Sequence, residues 1–508
     1  MTEEKTDIRD CGQEDTSYDR VLKYTGVFGG VQVLTMLVSV IRTKLAAWWL
    51  SKVGMGFFLM YTNIASFVSS ASNAGVPFSA VKNLSEIYEE GDADRVKSYV
   101  KTVRSISLWT AIMGALLCVL LAPPISFFAF DGDWSYSFEV ALLSPMIFAI
   151  AVTNGEISIL KATRKLKRVA VVSAVGAVLT LVSVLPFFYL WGSRGVIPAL
   201  VVNALVLMLV HLYYSIPLFP WRVSLLSRDV WEQGRDMVKL GLPYVVAGVL
   251  NALTALAIPA MLLSLGDMDD VGLYKVGYGI MVVYAGIVFV AVESDYFPRL
   301  SAVHSNVGRM NFAINQQVDI CVLFIAPLLL FMMLAMPLLI ELLYSAEFLP
   351  VADMAVCSAF YMFFRAVMLP IAYTSLAKGD TFTYLTMEVA YDIFSFLLIV
   401  AGYYWGGITG TGIALSVASL FDVLMISICY SRKYGFRLFP STLRLVLVQA
   451  LLLAAGVFVC IYGSLLFRCV CGAILLFASA FYSFVVLQKN TVALKSFKEK
   501  ILNKINRR

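Results

Sequence analysis

Charge is scarce in this chain. Asp, Glu, Lys and Arg make up 14% of its 508 residues, against 60% hydrophobic residues and a mean hydropathy of +0.83. That balance excludes an ordinary soluble domain, in which about a quarter of residues carry charge. Histidine is scarcer still: His211 and His304 are the two in the chain, and neither has partners at metal-ligand spacing. The eight cysteines are scattered, mostly inside apolar runs (Cys118, Cys321, Cys357, Cys429, Cys460), and the close pair Cys469 and Cys471 lacks CxxC spacing. They read as small apolar helix residues. No glycine-rich nucleotide loop is present, because Gly26, Gly29 and Gly30 sit inside an apolar run, where glycine serves packing. Residues 1–19 are polar and rich in Asp and Glu, so no cleaved secretory signal is expected. The outer connections are about a dozen residues or fewer, too short to hold a sugar beside catalytic groups. These absences argue against an enzyme, and without an ATP motif any transport is passive or driven by an ion gradient.

What the chain does have is long apolar runs. The run from Tyr24 to Ile41, fenced by Lys23 and by Arg42 and Lys44, is long enough to cross a bilayer core. Its glycines and Gln32 suit a helix that packs closely or lines a cavity. Fourteen spans are expected, near 21–42, 57–76, 105–126, 138–160, 170–191, 195–217, 240–264, 273–294, 318–343, 350–373, 383–404, 409–430, 443–466 and 470–487. With the N-terminus inside, about 32 of the 39 Lys and Arg fall on the inner side and about five on the outer side. The net charge of +6 therefore reads as orientation, with both termini cytoplasmic, and not as nucleic-acid binding.

The chain also repeats itself. Tyr189-Leu190-Trp191-Gly192, with Gly195 and Ala199-Leu200, returns as Tyr403-Tyr404-Trp405-Gly406, with Gly410 and Ala414-Leu415, an offset of about 214 residues. A same-direction repeat of six spans implies two six-helix lobes around a central cavity. The expected organisation is a polar tail over 1–20, a first lobe over 21–217, a cytoplasmic linker over 218–239, and a second lobe over 240–430. Two further spans follow over 443–487, and a basic tail over 488–508. Spans 13 and 14 are apolar on every face and are expected to touch lipid. The tail, with Leu494, Phe497, Ile501 and Ile505 between lysines and arginines, reads as an amphipathic helix on the anionic leaflet.

A charge at the centre of a span costs about 2.5–3.5 kcal/mol on insertion scales, so such residues are functional or paired. Lys23, Arg42, Lys44, Lys275 and Arg365 are the candidates for holding an anionic cargo. Arg365, in Phe363-Phe364-Arg365-Ala366, lies deepest, while the other four lie near span ends, where snorkelling is the alternative. Glu388 and Asp392 share one face of span 11 and Asp422 lies in span 12. These three carboxylates are candidates for carrying H⁺ or Na⁺, or for acting as counter-ions to Arg365. In the first lobe the span acids are Glu139 and Glu156, both near ends, which disfavours an exporter of cationic drugs on this fold. A non-transporting membrane scaffold is the third class.

Several segments resemble polysaccharide flippases of the O-antigen translocase type, in the superfamily that holds multidrug exporters (MATE) and lipid II flippases. They are Arg42-Thr43-Lys44-Leu45-Ala46 with Val53-Gly54; Ile159-Leu160-Lys161-Ala162; Val271-Gly272-Leu273-Tyr274; Asp295-Tyr296-Phe297-Pro298-Arg299-Leu300-Ser301; and Leu343-Tyr344-Ser345. Where this family usually has leucine-glycine after the first span, the chain has Leu50-Ser51. The resemblance implies an all-α, MATE-like polytopic membrane protein of 14 transmembrane helices. It would sit in the bacterial inner membrane and move an undecaprenyl-diphosphate-linked oligosaccharide, such as an O-antigen repeat unit, to the outer leaflet. Its partners would be that cargo, membrane lipids and other polysaccharide-assembly proteins, with no nucleic acid and no cofactor beyond a coupled Na⁺ or H⁺. It also implies that the diphosphate is held by Lys23, Arg42, Lys44, Lys275 and Arg365.

Overall fold

The computed structural model describes the backbone of residues 8–490 except 226, 287–288, 290–295, 297–298, 302 and 304, and side chains almost throughout from 35 onward. Among the described residues the chain is all helical. Ten helices are long and apolar enough to cross a membrane. Two of these stretches, Arg168–Ser215 and Thr381–Tyr434, run to 48 and 54 residues and are broken midway. Their outward faces are greasy: Leu120 is 74% exposed and Phe477 72%. Such continuous apolar exposure on a soluble surface would drive aggregation, whereas lipid covers it without cost. The protein is an integral membrane protein.

The chain divides into two compact units, Met1–Leu256 and Ala257–Arg508. The boundary falls inside the seventh expected span, whereas the sequence pattern suggests a linker over 218–239.

The first unit begins with α1 (Ile8–Ser72), interrupted at Ser51 by non-helical backbone. A glycine turn follows, and Pro77 opens α2 (Val76–Glu89), a position where its missing N–H costs nothing. The α3 helix (Ala93–Ala129) is capped by Asp92, whose carboxylate accepts from the backbone N–H groups of Asp94 and Arg95 at 3.0 Å, which is worth about 1 kcal/mol. After the short α4 (Ser137–Ala141), α5 (Ser144–Ala162) packs on α3 through small residues. A Cβ on Gly155 would lie 2.8 Å from that of Ser107, so the two backbones approach as only glycine allows. Then come α6 (Leu166–Trp191) and α7 (Val196–Ser215), joined by a single 3₁₀ turn, and the start of α8 (Arg228–Leu265).

The second unit continues through α9 (Met268–Gly279) into a π-helical turn at Ile280–Tyr284. It then holds α10 (Val307–Leu334), α11 (Met336–Leu343), α12 (Ala352–Cys357), α13 (Ala359–Ala377), α14 (Thr381–Tyr434), α15 (Pro440–Tyr462) and α16 (Leu465–Asn490). The last two are not apolar on every face, as their composition suggests. Gln449 is fully buried, donates to Ser483 Oγ at 2.9 Å, and accepts from Ser479 Oγ at 2.7 Å. This amide is the polar fastening between α15 and α16 in surroundings where water cannot replace it.

The repeat is visible in the backbone, and it corrects the register of the sequence match by one residue. Trp191 (φ −122°, ψ −1°) and Gly192 (φ 54°, ψ −131°) break α6 from α7. Gly406 (φ −139°, ψ 17°) and Gly407 (φ 56°, ψ −145°) break α14 in the same way. The equivalence is therefore Gly192 with Gly407, an offset of 215. The same offset relates Gly195, seated on the Phe187 carbonyl, to Gly410, seated on the Gly402 carbonyl. Positive φ at the turn and close approach just after it require glycine in both halves. The tryptophans, whose side chains sit at the periphery, are free to slip.

Candidate functional site

In the second unit, charged and phenolic side chains gather inside the helical layer. Each helix supplies them at one-turn spacing, which places them on one face. The α9 helix brings Tyr274 and Tyr278, stacked at 5.8 Å. The α13 helix brings Tyr361 and Arg365; the guanidinium Nη1 donates to the Tyr361 hydroxyl at 2.9 Å. The Tyr278 and Tyr361 rings lie 6.2 Å apart. The first half of α14 brings Tyr384, Glu388, Tyr391 and Asp392, with Glu388 hydrogen-bonded to Tyr384. The second half brings Asp422, 4% exposed.

Arg365 therefore sits in a phenolic cage, half-buried, with Tyr361, Tyr278 and Tyr391 in electrostatic reach. Glu388 and Asp422 are in electrostatic reach of it as well, and Asp392 of both carboxylates. Among the described residues no carboxylate lies within the 4.0 Å of a direct ion pair with Arg365. Nor do three His, Cys, Asp or Glu side chains converge among them as metal ligands. The cluster combines a cation whose direct partner is a phenol with an acidic surplus beyond direct ion-pair distance.

The remaining sequence candidates are placed elsewhere. Arg42 is half-buried on α1, its Nη2 at 3.5 Å from Ser39 Oγ. Lys44 is half-buried on the same helix and Lys275 on α9, and each has an interaction partner. The side chain of Lys23 lies outside the described residues, as do Glu293, Asp295, Pro298, His304 and the tail 491–508. Of the Asp295–Ser301 segment, Tyr296 donates to the Pro370 carbonyl at 2.7 Å and Arg299 to Gln317 Oε1 at 3.0 Å. A separate apolar groove of about 750 Å³ runs along one stripe of α14 from Phe421 to Ile428 and ends at Arg432 and Lys433.

Two features escaped the sequence reading. The one signal for the tyrosine cage in the sequence is the one-turn pair Tyr274 and Tyr278, which stands out little in a chain with 25 tyrosines. Arg104 reads as one more inner-side basic residue and Glu156 as a span-end acid. Instead they form a bidentate ion pair at 2.7 and 3.0 Å, with side chains 1% and 2% exposed. No local pattern pairs residues 52 apart.

The geometry agrees with what the chain resembles. A family model described as polysaccharide biosynthesis protein matches residues 47–353. No curated protein sequence matches. Among solved structures, the lipid II flippase MurJ in an inward closed conformation superposes with a TM-score of 0.69 at 13% identity, covering 91% of this chain and 99% of that one. An inward-facing multidrug resistance MATE family transporter of the MOP superfamily gives 0.62 at 15% identity, covering 78% and 95%. A MOP superfamily transporter from Pyrococcus furiosus gives 0.56 at 15%, covering 80% and 96%. At such identities the structures establish a shared MurJ- and MATE-like fold. The family match spans more than half of the chain, which belongs to the polysaccharide biosynthesis protein family.

Proposed function

We propose that this protein moves a polyprenyl-diphosphate-linked oligosaccharide, such as an O-antigen or other surface-polysaccharide repeat unit, from the inner to the outer leaflet of the bacterial cytoplasmic membrane by alternating access. Both termini are then cytoplasmic, and the protein performs no covalent chemistry. The family and the fold shared with a lipid II flippase support this reading. The observation that carries it is Arg365, a guanidinium inside a span that keeps a tyrosine hydroxyl as its direct partner. A sugar stripped of water loses several kcal/mol for each unpaired hydroxyl, and phenols supply both hydrogen bonds and flat faces for it. Guanidinium is the group that meets a diphosphate with paired hydrogen bonds. Arg42, Lys44, Lys275 and Lys23 are the further candidates along the diphosphate's path, and the polyprenyl tail remains in lipid.

A second reading is favoured by the acidic surplus of Glu388, Asp392 and Asp422: a Na⁺- or H⁺-coupled multidrug exporter on the same fold. On the flippase reading the same carboxylates carry the coupling ion. Reconstitution separates the two. Vesicles should translocate a lipid-linked oligosaccharide and not a cationic dye, and Arg365→Ala should slow the former about 10- to 100-fold, the loss of a charge-assisted hydrogen bond of about 1.5–3 kcal/mol. Arg365→Lys should recover part of the rate. Unchanged glycan movement in folded Arg365→Ala, or dye transport without glycan transport, overturns the proposal.

A further inference from the structure

Among the described residues Arg104 is the largest side chain with almost no exposure, and all of its donors are used. Nε and Nη2 meet the two oxygens of Glu156 on α5, at 2.7 and 3.0 Å. Nη2 also donates to Ser215 Oγ at 3.2 Å, and Nη1 donates to the carbonyls of Phe219 and Pro220 at 2.8 and 2.9 Å. The guanidinium lies 5.0 Å from the Trp221 ring centroid. Five N–H groups thus serve five acceptors, two of them on the segment that leaves α7 and a third, Ser215, on the last residue of α7 itself.

That segment, a strap over 216–225, has almost no helix of its own and is fastened along its length. The backbone N–H of Ser224 donates to Ser105 Oγ at 3.0 Å. The Leu225 carbonyl accepts from the indoles of Trp109 and Trp231, at 3.4 and 3.1 Å. Beyond it, Thr102 donates to Gln233 on α8 at 2.8 Å. Further along α8, Gly241 meets Gly75 backbone to backbone, where a Cβ on Gly241 would lie 2.6 Å from the Gly75 Cα.

The second unit fastens the equivalent strap by different chemistry. There Asn311 and Asn315 on α10 act as backbone mimics: their amides donate to the Gly435 and Arg437 carbonyls at 3.0 and 2.9 Å, and accept from the N–H groups of Arg437 and Phe439 at 3.2 and 2.8 Å. Two neutral amides hold that chain to a single helix. The charged pair in the first unit holds three elements at once (α3, α5 and the strap), and it buries an ion pair whose loss of hydration must be recovered by full hydrogen bonding.

We propose that Arg104 is a positioning residue that makes the strap and the first turns of α8 one stiff piece with α3 and α5. On the flippase reading above, the strap then passes the movement of these helices into α8 instead of tethering it loosely. The test uses a reporter already present, Arg222, an exposed trypsin site inside the strap. Arg104→Lys keeps a charge beside Glu156 but has three donors on a single nitrogen, too few to serve Glu156, Ser215 and both carbonyls at once. In the purified full-length protein it should be cut at Arg222 roughly tenfold faster or more, the effect of about 1.4 kcal/mol on a local opening equilibrium. Arg104→Glu combined with Glu156→Arg should restore the ion pair and the thermal stability, yet leave Arg222 fast-cut and glycan export slow. Arg104→Gln with Glu156→Gln, which removes both charges together and with them the hold of the guanidinium on the Phe219 and Pro220 carbonyls, substitutes should Arg104→Lys fail to accumulate. Wild-type cutting at Arg222 in the folded single variant or its substitute, or full protection in the charge-swapped protein, overturns the proposal. Proteolysis makes no reference to cargo: a wild-type protein that moves no glycan would sink the transport reading and leave the strap result standing.

Discussion

Ser51→Gly should stabilise this protein. Ser51 lies inside α1 at φ 58°, ψ −175°, a region that is essentially glycine-only and costs about 1–3 kcal/mol with a Cβ present. The side chain is exposed, so its removal deletes no packing. The kink has little room to relax, because a Cβ on Gly54 would already lie 2.9 Å from that of Leu50 and 3.3 Å from that of Ser193. Against the gain stands the larger conformational freedom of glycine in the unfolded chain, about 0.5–1 kcal/mol. The net expectation is about 0.5–2 kcal/mol in favour of glycine. Tryptophan fluorescence during thermal or denaturant unfolding in one detergent measures it, with Ser51→Ala as the control that keeps the Cβ and hence the strain. Alanine should match the native protein within about 0.5 kcal/mol. A glycine variant no more stable than the alanine variant refutes the reasoning. Serine stands where the resemblance leads one to expect glycine, and the backbone there still takes the conformation that favours glycine.

The remaining predictions rest on single contacts. Gly410→Val should fail to accumulate in the membrane, because any Cβ there strikes the Gly402 carbonyl; Gly195→Val should fail in the same way, against the Phe187 carbonyl, and normal yields of either would refute the shared crossing. Asp380 caps α14 and pairs with Lys433 at 2.6 Å. Lys433, Tyr434 and the Thr383 N–H hold its carboxyl well below the usual carboxylate range. Because its folded value lies below the unfolded one of about 3.9, its stabilisation is present above that pH and is lost as pH falls further. The melting difference between the native protein and Asp380→Asn should therefore shrink from pH 5 toward pH 2.5. A difference that holds constant or grows refutes the assignment.

Much of this was legible in the chain. Helical membrane spans follow from long apolar runs, because a backbone in lipid must satisfy its own hydrogen bonds. The repeat was legible at Gly195 and Gly410, where close backbone approach tolerates no side chain. Its register was not, because Trp191 and Trp405 align by identity while the chain turns one residue apart. Arg365 stood out because a guanidinium in a span has few bland explanations. The phenols that hold it come from three helices, and helix-to-helix contacts leave no local signature.

The sequence by itself determined the medium, the secondary structure and the two-fold internal repetition, since each is set by local composition and by spacing along one helix. Only the tertiary structure decided which polar groups meet: Arg104 with Glu156 and a distant strap, Gln449 with two serines, Arg365 with tyrosine before any carboxylate. In a medium without water, a polar side chain must find a protein partner, and which partner it finds depends on how helices far apart in the chain come to lie side by side.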